Sequence, residues 1–120
     1  MLTFEQVTVD ARDPQALGQW WAAALGWVII FEDEFEVEIR QQVEVVPGLL
    51  FVANAEAKVT KNRLHLDLRP DDQEAEVARL VDLGARRVDI GQKNAKWVVL
   101  CDPEGNEFCV LRQESNESGA

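Results

Sequence analysis

"KNRLHLDLRPDDQEAEVARLVDLG", residues 61–84, decides the architecture of this chain. Its first part alternates: leucines at 64, 66 and 68 interleave with Arg63, His65 and Asp67, the period-two pattern of a strand with one apolar face. Its second part changes period. Asp71 or Asp72 can accept from the free N–H groups at a helix start, Val77, Leu80 and Val81 recur on one side, and Gly84 ends the run.

The same order of strand, acidic cap, helix and Leu-Gly stands near the N-terminus, in "LTFEQVTVDARDPQALGQWWAAALG", residues 2–26. There Phe4, Gln6, Thr8 and Asp10 share one strand face. Asp13 can cap the helix, and Pro14 suits its first position, where no N–H is needed. Leu17, Trp20, Trp21, Ala24 and Leu25 form the apolar stripe, and Gly26 stops it; the tryptophans read as helix core or as a dimer contact.

Three strand patterns follow each helix. After the first come "WVIIFED" (27–33), "FEVEIRQQ" (35–42) and "GLLFVANA" (48–55), and after the second "ARRVDI" (85–90), "KWVVLCD" (96–102) and "EFCVLRQ" (107–113). Phe35, Val37 and Ile39 alternate with Glu34, Glu36, Glu38 and Arg40, acids that read as a solvated sheet face. Pro47-Gly48 before "LLFV" answers Pro103 and Gly105 before "EFCV". An internal repeat fixes architecture. The expectation is an α+β fold of two tandem βαβββ modules, about 1–55 and 61–113. They should form a cupped mixed sheet with the helices on its outer face, one domain over 1–114 followed by a flexible tail, 115–120.

Composition narrows the function. The 120 residues carry a net charge of −10, which argues against nucleic acid, whose phosphates need a basic footprint, and against membrane surfaces. No apolar run is long enough to span a bilayer and the N-terminus has no secretion pattern, so a cytoplasmic location is expected. Cys101 and Cys109 are expected as free thiols, and no zinc-finger spacing occurs.

Alternation sorts the chemistry. With Leu64, Leu66 and Leu68 under the helices, Arg63, His65 and Asp67 face the concave side. Phe108 and Val110 go to the core, so Glu107, Cys109 and Leu111 face the concave side as well. Gln6, Thr8, Leu50, Val52 and Trp97 join them by the same parity. Apolar walls with a few convergent polar groups describe a small-molecule site. Superposed halves pair Gln6 with His65 and Val52 with Cys109. Trp97 is the aromatic wall for a planar ligand.

The paired modules, the "DARDPQALGQWWAAALGW" opening, "KNRLHLDLRP" and the ending "WVVLCDPEGNEFCVL" resemble the vicinal oxygen chelate superfamily, closest to its glyoxalase-like, bleomycin-resistance and dioxygenase branch. The resemblance implies metal ligands from the first and last strand of each module, which fall here on Gln6, Val52, His65 and Cys109. Val52 binds no metal and Cys109 stands where a carboxylate is usual, leaving Gln6, His65 and Cys109 as metal candidates. The set falls one donor short, so the expectation is no stoichiometric metal, with zinc, nickel or iron as the alternative. The resemblance further implies a homodimer. As an enzyme the protein would be a lyase, isomerase or dioxygenase acting on neighbouring oxygens, with His65, Glu107 and Asp67 as catalytic groups. As a binding protein it would sequester a small molecule, without metal, in a cup lined by Gln6, Thr8, Val52, Arg63, Trp97 and Cys109.

Overall fold

The computed structural model describes residues 1–88 and 96–114, and its elements run through the sequence pattern twice. In the first unit, Met1–Ala57, strand β1 (Gln6–Ala11) leads into helix α1 (Pro14–Leu25) and then strands β2 (Val28–Glu32), β3 (Glu36–Arg40) and β4 (Gly48–Ala53). In the second, Lys58–Ala120, β5 (Leu66–Leu68) precedes α2 (Gln73–Leu83), β6 (Arg86–Arg87), β7 (Val98–Cys101) and β8 (Glu107–Val110). Each unit forms one four-stranded mixed sheet, ordered β1-β4-β3-β2 and β5-β8-β7-β6. In both, the first strand runs parallel to the last and the other neighbours are antiparallel. The α+β class and the repeated βαβββ order are both present.

The helix ends follow from their caps. The Asp13 carboxylate accepts the Ala16 N–H at 3.0 Å, and Asp72, rather than Asp71, accepts that of Ala75 at 3.1 Å. Gly26 and Gly84 end the helices with φ of 69° and 122°, where a side chain would be strained. Helix α1 lays Leu17, Trp20, Trp21 and Ala24 onto a sheet face built from Val37, Ile39, Leu49 and Phe51, all buried. The two tryptophans meet edge to face, centroids 5.1 Å apart, so they serve the core. Gly18 allows the helix to come this close: a Cβ there would stand 2.6 Å from Val37 Cγ1. In the second unit Val77 and Leu80 of α2 are buried, as are Leu100, Phe108 and Val110.

Several strands are shorter than their patterns, because a strand extends only as far as its partner. Gln6 pairs with Gly48, the first residue of β4, so residues 2–5 stay outside β1 and Phe4 is exposed. Leu66 pairs with Phe108, and β8 begins only one residue earlier, so Arg63, Leu64 and His65 fall outside β5. Leu64, expected under a helix, is 84% exposed. Phe35 sits in the turn before β3, where the Asp33 carboxylate accepts the N–H groups of Phe35 and Glu36, and it too is exposed. Val81, expected inward, is exposed on the flank of α2, beside a groove lined by Val77, Arg87 and Val98. The expected strand residues Asp89 and Ile90 and the tail 115–120 lie outside the described residues.

Candidate functional site

The chemistry of the second unit is organised around the start of β8. Asp102 is buried, and its carboxylate accepts the N–H of Glu104 at 2.9 Å and of Asn106 at 3.0 Å, with the Asn106 side-chain amide completing its shell. A buried carboxylate needs such donors. They lock the turn "DPEGN", whose Gly105 has φ of 88°, and so fix where Glu107 and Cys109 emerge.

Glu107 then holds the segment that leads to His65. Its carboxylate accepts from Lys58 Nζ at 2.9 Å and from the Asn62 N–H at 3.0 Å, while the Asn62 side-chain amide donates to Asn106 Oδ1 at 3.0 Å. Burial pushes the Glu107 carboxyl up. The Lys58 ammonium, the Asn62 N–H and the carboxyl's own backbone N–H outweigh it, and the net pKa lies below the usual carboxylate value. A carboxylate so held stays ionised at neutral pH, which makes it a poor proton donor and a good anchor.

Past that anchor the chain turns His65 toward Asp67. The imidazole Nε2 lies 3.2 Å from Asp67 Oδ1. Asp67 pairs with Cys109 across the parallel β5–β8 ladder, which puts their side chains on one face. The Cys109 thiol lies within 4.8 Å of the Asp67 carboxylate. Burial first, and then the nearby Asp67 carboxylate, push the thiol pKa up, with Lys61 partly opposing. One ligand-type atom from each of His65, Asp67 and Cys109 lies within 4.8 Å of the others.

The three donors fit a metal ion in number and type. A tetrahedral ion with bonds of about 2.0–2.3 Å spaces its donors by roughly 3.3–3.8 Å. His65 and Asp67 side chains are 39% and 52% exposed, so they have room for the small closure this requires. The family pattern points to Gln6, His65 and Cys109 as donors; within the second unit the fold brings Asp67 together with His65 and Cys109.

In the first unit, Gln6, Thr8 and Asp10 lie on one sheet face with Leu50 and Val52, as alternation required. The acids of β3, read from sequence as a solvated face, share it: Glu38 pairs with Leu50 and Glu36 with Val52. Glu38 is half-buried and binds Arg40 at 3.0 Å, and Arg40 also reaches Glu5 at 3.2 Å. Alternation with Val37 and Ile39 already placed these acids opposite the helix, and that signal could have added them to the site face.

The ladders also revise one internal equivalence. Counted back from the helix caps Asp13 and Asp72, Gln6 does match His65, so Thr8 matches Asp67. Thr8 pairs with Leu50 and Asp67 with Cys109, which makes Leu50, not Val52, the counterpart of Cys109. Both are apolar and neither can bind a metal. Arg63 is exposed and outside the ladder, and Trp97 is 42% exposed just before β7, on the parity of Val99, which pairs with Cys109. The cysteines are free and buried.

A chain with two βαβββ units and a polar cluster at the first and last strands of the second is a paired-module α+β protein of the glyoxalase kind. The sequence pattern of the glyoxalase-like domain matches residues 6–111, and the chain belongs to that family. No curated protein sequence matches it significantly. Among solved structures it is similar to a glyoxalase/bleomycin resistance protein/dioxygenase family enzyme from Burkholderia phytofirmans PsJN. The identity is 17%, the TM-score 0.72, and 91% of this chain and 97% of that one are covered. The trypanothione-dependent glyoxalase I of Leishmania major aligns at 12% identity and TM-score 0.68, over 99% and 92%. The bleomycin resistance determinant of transposon Tn5 aligns at 16% and 0.59, over 95% and 100%. At such identities these likenesses establish the fold. Among the described residues, no helix is long and apolar enough to cross a membrane.

Proposed function

We propose that the chain binds a small organic molecule bearing two neighbouring oxygens at the His65–Asp67–Cys109 cluster and acts on it as a lyase, isomerase or dioxygenase. The observation that carries this reading is the convergence of the three side chains within 4.8 Å. A divalent ion held by them would polarise the paired oxygens of the substrate. The protein groups have separate tasks. Asp67 fixes the imidazole of His65, Cys109 gives the site a buried floor, and the ionised Glu107 keeps the 58–62 segment, and hence His65, in place. Of the two carboxylates considered for proton transfer, Glu107 is committed to Lys58 and Asn62, and Asp67 would serve only where it does not hold the ion. Arg63 and Trp97 would line the ligand site in the second module; Gln6, Thr8 and Val52 lie on one sheet face of the first.

A second reading, metal-free sequestration of a small molecule, is favoured by the apolar Leu50 and Val52, which supply no donor from the first module. We further infer a cytoplasmic homodimer. The edge strand β2 offers unpaired backbone groups together with exposed Val28, Ile29 and Phe31, which a second copy would cover. Light scattering at high micromolar concentration should give twice the chain mass; a monomer mass would refute the dimer.

The binding reading is tested by amide NMR during titration with a panel of α-hydroxyketones, α-keto acids and catechols, with and without zinc. A binder should move the signals of residues 65–67 and 107–109. Shifts confined to the groove beside α2 would refute this site, and shifts at 65–67 only without zinc would favour sequestration.

A further inference from the structure

We propose that the second module by itself forms a soft divalent-cation site, with Asp67 as its third protein ligand beside His65 and Cys109. The inference deepens the proposed function and rests on the same cluster being the site. It differs from the arrangement that the family resemblance implies, in which each module gives two donors. Here the first-module counterparts of His65 and Cys109 are Gln6, a weak oxygen donor, and Leu50, which is none.

The geometry comes from the backbone. The parallel ladder sets Asp67 beside Cys109, and His65, two residues before Asp67, returns to within 3.2 Å of its carboxylate. No loop closure between distant segments is needed beyond the ladder itself and the Glu107 anchor. Charge balance is good as well. An imidazole, a carboxylate and a thiolate sum to −2, which a divalent ion neutralises. The donor set selects the class of ion: one sulfur, one nitrogen and one oxygen suit zinc or cobalt, whereas magnesium and calcium require oxygen shells.

Exposure decides what kind of site it would be. Cys109 closes the cluster from below, being 5% exposed, while His65 and Asp67 remain open to solvent. Three protein donors with an open side are the arrangement of a catalytic zinc centre, in which the fourth position takes water or substrate; structural zinc sites are closed by four.

The test is a titration of the whole chain, purified without an affinity tag, with cobalt(II) alone and then with zinc(II) in competition. One cobalt per chain should bind and give the near-ultraviolet charge-transfer absorption of a cobalt–thiolate bond, and zinc should displace it. Asp67→Asn and His65→Ala, both exposed positions, should each weaken binding at least about 10-fold, with the far-ultraviolet dichroism of the wild type confirming that they fold. Gln6→Ala should leave the affinity within about twofold, well below the loss expected for a ligand. Absence of the thiolate band overturns the proposal, as does an Asp67→Asn variant that binds like the wild type or a Gln6→Ala variant that loses as much as Asp67→Asn. No organic ligand enters this experiment, so its failure is separate from failure of the small-molecule panel.

Discussion

Replacing Glu107 by Gln tests whether this residue anchors the His65 segment or handles protons. The change keeps an acceptor for the Asn62 N–H and removes the charge that faces Lys58 Nζ at 2.9 Å. The Glu107 and Lys58 side chains are 12% and 19% exposed, so this pair is better shielded than a surface bridge but the ammonium can still reach water. A hydrogen bond to a charged group contributes about 1.5–3 kcal/mol, and an exposed ion pair about 0–1. The expected loss for Glu107→Gln is therefore about 1–2 kcal/mol at pH 7.

The pH dependence gives the sign. The folded carboxyl has a pKa below its unfolded value, so the folded state gains from its ionisation wherever pH exceeds the ordinary glutamate range, near 4.3. That gain disappears as pH falls through the lower, folded value. Urea unfolding of both proteins from pH 7 down to pH 3 should show the gap between them constant at first and then closing below about pH 4. A gap under about 0.3 kcal/mol at pH 7, within the scatter of surface substitutions, would refute the anchor. So would a gap that widens toward pH 3.

Gly18→Ala should destabilise: alanine gains about 1 kcal/mol of helix propensity, but its Cβ would stand 2.6 and 2.8 Å from two atoms of the fully buried Val37, and overpacking costs about 1–3. A net loss of about 1 kcal/mol by chemical denaturation is expected, and a gain would contradict a tight α1–β3 contact. Asp102→Ala removes the buried carboxylate that accepts from two backbone N–H groups of the half-buried turn and should cost about 2–4 kcal/mol. A melting temperature equal to the wild type's would contradict the turn lock.

Much of this was legible in the sequence. Asp13 with Gly26, and Asp71 or Asp72 with Gly84, mark both helices because caps and left-handed stops are local chemistry. Alternation put Val37, Ile39, Phe51, Phe108 and Val110 in the core for the same reason. Strand ends were not legible, since Leu64 and Phe35 fit a strand pattern but have no ladder partner. The roles of the acids were the hardest to read. Glu107 looks like a free acid until Lys58 and Asn62, far away in sequence, are seen to hold it. Asp67 gains its meaning from Cys109, which only the β5–β8 register places beside it.

The central claim is that the His65 cluster is where the ligand binds. Its most direct test is the affinity of a panel binder for His65→Gln, which keeps a polar side chain of similar reach and removes the imidazole. His65 is exposed and outside the β5 ladder, so the variant should melt within a few degrees of the wild type, the range of a surface substitution. If the cluster is the ligand site, it should bind the ligand at least about 10-fold more weakly. Unchanged affinity together with a clearly lowered melting temperature would make His65 a structural residue and contradict that claim.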